Sequence, residues 1–209
     1  MQHGEDNAHP GILASAATGI ADHVARLGGD IDRICGEAGV DPASVGQPTL
    51  SLELSAFCSL FEEAARNTRN PNFGLWFGNS FKPRDLGLIG YTAVSSPTLG
   101  AALENFVGLF GLHQQSTHMA IAEAGSGRIR LEYQIRMPDI LARRQDAELS
   151  LGMFLNSIQS PKPGANMKAP SMRPSTSRNR PMRSSSGVSF SSARCPPPIS
   201  SCCRSPACA

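Results

Sequence analysis

The sequence has 209 residues, of which 40% are hydrophobic and 17% charged, with a formal net charge of +2. Its length allows one domain or slightly more. No apolar run approaches the roughly 18 residues that cross a bilayer, which excludes a membrane-spanning protein. The opening residues, MQHGEDNAHPG, contain no apolar segment of the kind found in a secretory signal.

The small net charge is the sum of two unlike segments. Residues 1–160 contain all 17 acidic residues and 11 of the 19 basic ones, a net charge of −6, whereas residues 161–209 contain eight basic residues and no acidic one, a net charge of +8. The second segment is rich in Ser and Pro and has no Leu, so it cannot bury enough apolar surface to offset the entropy of ordering. We therefore predict a disordered N-terminus over 1–10, a folded domain over 11–160 and a disordered tail over 161–209.

Helical periodicity dominates the first part of the predicted domain. Apolar residues at i, i+4 spacing predict a helix over 12–27. Asp30 and Gly39 predict the N-terminal cap and the C-terminal end of a second helix over 31–38. Asp41-Pro42 predicts a further brief helical turn. Three more helices are expected over 51–67 with Ser51 as its cap, over 73–81, and from 99 to about 110.

After Gly111 the apolar residues recur every 2 residues instead of every 3.6, which is the pattern of a strand rather than a helix. Two strands are predicted over 119–122 and 128–135, joined by the turn sequence at 124–127. Asp139 is predicted to begin a final helix that runs to about Gln159, with Ile140, Ala147, Leu151, Phe154 and Leu155 among its core residues. The predicted fold class is α+β, with N-terminal helices followed by an antiparallel β-hairpin and a long helix.

Several short strings stand in an order that resembles a known family. They are Gly87-Leu88-Ile89-Gly90-Tyr91, Ser96-Pro97-Thr98-Leu99 with Ala101-Ala102-Leu103, His113-Gln114-Gln115, Leu131-Glu132-Tyr133 and Arg144-Gln145-Asp146-Ala147-Glu148-Leu149-Ser150. As an ordered set, they make residues 12–160 resemble the N-terminal, arabinose-binding-type domain of AraC/XylS-family bacterial transcription regulators. The resemblance implies a cytoplasmic effector-sensing domain, which in that family precedes a module with two helix-turn-helix units that binds DNA.

The segment after Ser160 departs from the family pattern. It shows no helical periodicity and no recognition-helix candidate, so specific DNA binding is not expected from any residue of this chain. Our hypothesis is that the sensing domain is truncated and that an insertion or deletion near codon 160 causes out-of-frame translation. A GC-rich gene translated in the wrong frame would produce the excess of Ser, Pro, Arg and Cys.

Aromatic and polar side chains of the predicted domain are candidates for a small-molecule pocket, because such sites are mostly apolar with a few converging polar groups. The alternative for each is an ordinary core position. The tentative ligand-binding residues are Tyr91, Phe106, Phe110, His113 and Tyr133, with Trp76 and Phe77 as further possibilities.

The remaining chemical groups do not indicate an enzyme or a cofactor. Glu62-Glu63, and Asp146 with Glu148, are predicted to occupy exposed helix faces or local ion pairs. His113 and His118 are candidates for a polar site or for a solvated connection. The tail lacks His, and the adjacent Cys202 and Cys203 cannot easily both point at one ion, so we expect no metal site there. Its cysteines are Cys195, Cys202, Cys203 and Cys208.

Two functions from different classes remain open. The first is an effector-sensing domain without a DNA-binding half, which acts by binding a small organic effector or by homo- or hetero-association, or which is a non-functional remnant. The second is a stand-alone interaction protein whose basic tail binds nucleic acid or an acidic partner non-specifically.

Overall fold

The computed structural model describes residues 10–126, 128–159 and 188–190. The α+β class is confirmed, with helices first, then an antiparallel hairpin and a long helix. In chain order the elements are β1 (Gly11–Leu13), α1 (Ile20–Arg26), α2 (Ile31–Ala38), α3 (Pro42–Val45), β2 (Ser51–Glu53), α4 (Leu54–Asn67), α5 (Phe73–Ser80), α6 (Leu88–Ser95), α7 (Leu99–His113), β3 (Thr117–Glu123), β4 (Ile129–Ile135), α8 (Arg144–Gln159) and β5 (Val188–Phe190), with 3₁₀ turns over Ala14–Ala17 and Pro83–Leu86.

Local capping interactions fix the ends of α2 and α3, as the sequence predicts. The Asp30 carboxylate accepts hydrogen bonds from the backbone N–H groups of Asp32 and Arg33, which satisfies two donors of the first turn of α2. Gly39 ends this helix with φ of 71°, a conformation that glycine adopts without steric cost. Asp41 caps α3 in the same way through the Ala43 N–H.

The prediction of one continuous helix over 12–27 is wrong, although its apolar stripe is buried from Ile12 to Val24; Leu27, the last residue of the stripe, is exposed. Ile12 belongs to β1, where it pairs with Leu52 of β2 in antiparallel register. A 3₁₀ turn follows, and α1 begins only after Gly19, whose φ of 84° interrupts any helix. The same pairing corrects the predicted cap at Ser51, because this residue lies in β2 and α4 begins at Leu54.

The core lies where α4 packs against α2 and α5. Phe57 and Phe61 of α4 contact each other with ring centroids 5.0 Å apart, and Phe61 lies 5.5 Å from the Phe77 ring of α5. Each of these rings is almost fully buried, which contributes about 2–3 kcal/mol per side chain. The helical spacing of the apolar residues between 51 and 67 predicts an inward face for α4, and all five residues of that face are buried: Leu54, Phe57, Cys58, Phe61 and Ala65.

Helices α5 and α8 approach so closely that only glycine fits at the contact. A Cβ atom at Gly74 or Gly78 of α5 would overlap the backbone carbonyl of Gln145 or Leu149 of α8, and one at Gly152 would overlap backbone atoms of α5. The Gly74 N–H also donates to the Gln145 side-chain oxygen at 2.8 Å. This contact fixes the position of the last helix against the core.

Strands β3 and β4 form the predicted hairpin, in a register that pairs Thr117 with Ile135. The connecting turn is closed by two hydrogen bonds, from the Ala124 N–H to the Arg128 carbonyl and from the Arg128 N–H to the Gly125 carbonyl. β3 extends beyond the predicted 119–122 at both ends, and β4 begins one residue later than the predicted 128–135; each strand has seven residues. β5 adds a short parallel strand to β4, with Val188 opposite Ile129.

The final helix begins five residues later than predicted. Asp139 lies in a turn, and α8 starts at Arg144 because the Arg143 guanidinium donates to the carbonyls of Ile135 and Met137 and holds the connection in a non-helical path. The buried face also differs. Leu155 is 41% exposed, whereas Asp146 is buried.

Two predicted segments lie largely outside the described residues. They are the N-terminal segment, of which residues 1–9 are not described, and the tail, of which only Val188–Phe190 is described. The four tail cysteines lie outside the described residues too. Within the described part of the chain, no helix combines the length and the hydropathy that a bilayer span needs.

Replacement of Gly78 by alanine tests the close contact between α5 and α8. We expect Gly78→Ala to lower the free energy of unfolding by about 3 kcal/mol, because the new methyl group meets the Leu149 backbone, which cannot rotate away. Urea unfolding followed by circular dichroism measures this change.

Gly36→Ala is the matched control, since a Cβ at Gly36 of α2 meets open space. It should raise stability by up to about 1 kcal/mol through helix propensity. Equal effects of the two substitutions would contradict the proposed packing.

Candidate functional site

Four of the five predicted ligand-binding residues lie together. Phe106, Phe110 and His113 follow one another along α7, and the Phe110 ring lies 5.6 Å from Phe106 and 5.8 Å from His113, centroid to centroid. Tyr133 of β4 approaches Phe110 edge-on at 5.9 Å. The i, i+4 and i+3 spacing on α7 places these rings on the side that faces the hairpin and α8.

Tyr91, the fifth predicted residue, lies apart from the other four. Its ring is 55% exposed on α6, and the Arg84 guanidinium lies over it, 5.8 Å from the ring centroid. A surface cation–π contact therefore accounts for the position of this ring.

A cavity lies beside Phe106, Phe110 and His113, between α7 and α8. Its volume is about 20 Å³, which accommodates little more than a water molecule. We call it the inner cavity. Its lining is apolar except at four positions on α7 and α8: His113, Gln114, Asp146 and Ser150.

A buried chain of hydrogen bonds runs past the inner cavity from the hairpin to α8. The Tyr133 hydroxyl donates to Oδ2 of Asp146 at 2.6 Å. The side-chain amide of Gln114 donates to the Tyr133 oxygen and to the Thr117 hydroxyl, both at 2.8 Å. This chain links three elements through polar groups inside an apolar region, where such bonds are strong because water does not compete.

The protein environment raises the pKa of two of these polar groups and lowers the pKa of a third. Burial raises the pKa of the Asp146 carboxyl to about 6, although the Tyr133 hydrogen bond and Arg143 act against this shift. Burial also raises the pKa of the Tyr133 phenol well above its usual range. It lowers the pKa of His113 to about 4, so this imidazole is neutral at physiological pH.

His113 is the one lining side chain with an unsatisfied polar atom. It is 4% exposed, and its Nδ1 atom is buried without a hydrogen-bond partner. A buried polar atom without a partner costs about 1–3 kcal/mol. A bound molecule with a suitable polar group would recover that free energy.

A second, mostly apolar cavity of about 40 Å³ lies next to the first, between α6, α7 and α8, with Ser157 as the polar residue of its lining. We call it the outer cavity. Phe106 and Phe154 line both cavities, and their rings meet edge-to-face with centroids 5.2 Å apart. Phe106, which is partly buried, therefore forms part of the wall of both spaces.

In residues 10–126 and 128–159, no three His, Cys, Asp or Glu side chains are arranged to hold a metal ion. Burial raises the pKa of both Cys35 and Cys58, which leaves these thiols protonated and unreactive.

The comparisons with known proteins agree with a binding domain. A family model described as the arabinose-binding domain of AraC transcription regulators, N-terminal, matches residues 28–161. The chain belongs to this family. A comparison with curated proteins found no match. The family is one of regulatory sensing domains rather than enzymes, and the cavity-lining parts of α7 and α8 lie inside the matched range.

The buried position of Asp146 in this AraC-type domain was not predicted from the sequence. Asp146 and Glu148 were both predicted to be exposed or locally paired, which is correct for Glu148, since it pairs with Arg144 at 2.8 Å. It is wrong for Asp146, which is buried. A pattern could have revealed it, because Asp146, Leu149, Ser150 and Met153 stand at i, i+3, i+4 and i+7, the spacing of one helix face.

Gln114 and Ser150 were also missed as site residues. Both stand in strings that carry the family resemblance, but neither residue type alone distinguishes a cavity from a surface. Glu62 was predicted to be exposed or locally paired, whereas its carboxylate accepts a hydrogen bond from the Gln145 N–H at the start of α8, 2.9 Å away.

The buried carboxylate of the AraC-type domain predicts a pH dependence of stability. A folded-state pKa of about 6 for Asp146 means that the native state binds more protons than the unfolded state between pH 4 and 6, so this group's contribution falls as pH rises. His113, with a folded-state pKa of about 4, acts in the opposite sense. Asp146→Asn should therefore make the slope of stability against pH more positive by up to about 1.4 kcal/mol per pH unit in this window.

Urea unfolding at several pH values between 4 and 7 measures the slope. Asp22→Asn, which removes an exposed carboxylate of α1, is the control and should leave the slope nearly unchanged. An Asp146→Asn variant with the slope of the unmodified chain would refute a raised pKa at Asp146.

Proposed function

We propose that this chain is a cytoplasmic effector-sensing domain of an AraC-type transcription regulator and that it binds a small organic effector at the inner cavity. The observation that carries the proposal is a small, mostly apolar cavity whose lining residues on α7 and α8 lie inside the matched family range and include a buried imidazole with an unpartnered Nδ1 and a buried carboxylate. Known small-molecule sites combine an apolar lining with a few such polar groups.

Of the five residues predicted from the sequence, we propose that three contact the effector and that a fourth, Tyr133, acts indirectly. Phe106 and Phe110 supply apolar contact area, and His113 supplies a polar contact. Tyr133 acts through its hydrogen bond to Asp146. Tyr91 is left out because its exposed ring lines neither cavity.

We further propose that residues 161–209 contribute no module that recognises DNA sequence. This segment has no apolar helical period and none of the acidic residues that cap helices. The response to an effector would then pass through a change in the stability of the domain, or through association with a second copy or another regulator.

Two changes at the same place in the chain support the hypothesis of out-of-frame translation after codon 160. The family match ends at residue 161, and the composition changes from acidic to basic at the same place. The nucleotide sequence tests it. A downstream frame that encodes strands and a helix-turn-helix pattern would support the hypothesis, and three frames without them would refute it.

A second candidate function is favoured by the eight positive charges and the absence of acids in residues 161–209. In this alternative, the chain is an interaction protein whose tail contacts nucleic acid or an acidic partner. Affinity for duplex DNA of any sequence that falls steeply with salt would favour it, because such binding releases counterions from phosphates.

Ligand-dependent stabilisation tests the sensing function. The full chain is melted with a panel of sugars, amino acids, aromatic acids, aliphatic alcohols and alkylamines. We expect at least one class to raise the Tm in a saturable manner, by the free energy that binding to the native state adds.

The variant Ala16→Val tests where the compound binds, since Ala16 is buried and lines the inner cavity. Its added methyl groups reduce the space, so the shift in Tm should shrink. Ala25→Val, at an exposed position of α1, is the matched control. A panel without any saturable shift would refute the sensing function.

A further inference from the structure

The linings of the two cavities carry negative charge and no positive charge. Among the described residues that line them, Asp146 is the one acidic side chain, and no lysine or arginine contributes to either lining. A carboxylate effector would have to approach this buried negative charge in a medium of low polarity, where repulsion between like charges is large. The linings therefore select against anions.

The other charged groups near Asp146 compensate its charge only in part. Arg143 favours the ionised form of Asp146, as does the Tyr133 hydroxyl, whereas Glu62 of α4 opposes it. Arg143 also donates to the backbone carbonyls of Ile135 and Met137. Burial outweighs these favourable contacts, since the pKa of Asp146 is raised overall. An additional positive charge in the inner cavity would stabilise the carboxylate further.

His113 adds a hydrogen-bond acceptor to the same cavity. Its pKa is lowered to about 4 by burial, so the ring is neutral, and in the tautomer with the proton on Nε2 its unpartnered Nδ1 accepts a hydrogen bond. A carboxylate oxygen and a neutral imidazole nitrogen are both acceptors. An ammonium group, with three donors and no acceptor, complements this pair.

The aromatic rings that line the inner cavity also favour a positively charged ligand. Phe106 and Phe110 line the inner cavity beside Asp146, and Phe154 completes the wall on the side of α8. The face of an aromatic ring attracts a cation by about 1–2 kcal/mol when water is excluded. The apolar outer cavity begins on the far side of Phe106 and Phe154.

We propose that the effector of this domain is a small alkylamine in its protonated form, with its ammonium group between Asp146 and His113 and its alkyl chain directed past Phe106 into the outer cavity. This inference rests on the proposed sensing function and specifies its ligand class. Binding requires Phe106 and the flexible side chain of Met153 to move, because the inner cavity alone is too small for the whole molecule.

A series of probes with one alkyl chain and three head groups tests the inference. The full chain, labelled at its methionine methyl groups, is titrated with n-butylamine, 1-butanol and butyrate at pH 7.5, and the Met153 methyl resonance is followed by NMR. We expect butylammonium to bind at least about tenfold more tightly than butanol, which corresponds to 1.4 kcal/mol. Butyrate should leave the chemical shift of the Met153 methyl resonance unchanged.

The length of the alkyl chain tests occupation of the outer cavity. Each buried methylene is worth about 0.8 kcal/mol, so ethylammonium should bind roughly fifteenfold more weakly than butylammonium. Equal affinities of the two amines would contradict a chain that enters this cavity.

Asp146→Asn tests the role of the charge, with Asp22→Asn as the control of equal net charge. We expect the former to remove the preference of butylammonium over butanol and the latter to keep it. If Asp146→Asn does not fold, the comparison of the three head groups on the unmodified chain decides the matter.

Two results would overturn the inference and are distinct from failure of the sensing function. Tighter binding of butanol or butyrate than of butylammonium would show a sensing cavity with another ligand class. No binding by any of the three probes, together with a saturable shift by another class in the wider panel, would reject alkylamines and leave the sensing function in place.

Discussion

A partly buried hydrogen bond from the Tyr133 hydroxyl to the Asp146 carboxylate, 2.6 Å long, connects the hairpin to the last helix of the folded body. Tyr133 belongs to the hairpin, and Asp146 belongs to that helix. Asp146 is buried and Tyr133 half-buried, so loss of the bond would leave the carboxylate without this partner at a cost of about 1–3 kcal/mol. The inner cavity lies against this bond, and a molecule that enters it changes the surroundings of the bond directly.

The position of α8 gives this hydrogen bond its geometry. Gly74 and Gly78 allow the backbone of α8 to contact that of α5, and no larger residue fits there. Gln145 strengthens the same contact by accepting from the Gly74 N–H and donating to the Pro71 carbonyl. With the helix held so closely on one side, its next residue, Asp146, is directed into the interior rather than to solvent.

Elements with local determinants could be predicted from the sequence. Helix α2 has its bounds as predicted, because Asp30 and Gly39 act on their own neighbours. The hairpin and the buried stripe of α4 follow from periodicity in the same way. β1 could not be predicted, since its partner Leu52 is distant in the chain and only the folded structure brings the two together. The start of α8 depends on Arg143, whose backbone acceptors lie in and just after β4.

The candidate site was predictable in its aromatic part and not in its charged part. Phe106, Phe110, His113 and Tyr133 stand out as large or polar residues in the strings and periods that mark the domain. Asp146 follows two arginines, so a local ion pair is the default expectation from sequence. Asp146 is buried because the glycines of α5 hold α8 close to the core, and this contact joins helices that are distant in the chain. Its spacing with Leu149 and Met153 was the one available indication.

The domain thus combines a close contact that supports one helix with a small polar centre inside an apolar wall, and this arrangement fits the cationic effector that we propose. NMR titration of the Asp146 side-chain carboxyl carbon, with and without saturating butylamine, tests this claim most directly. We predict a pKa of about 6 in the free chain and a lower pKa with the amine bound, because a neighbouring cation favours the carboxylate. A pKa close to that of an exposed aspartate, unchanged by the amine, would contradict the account.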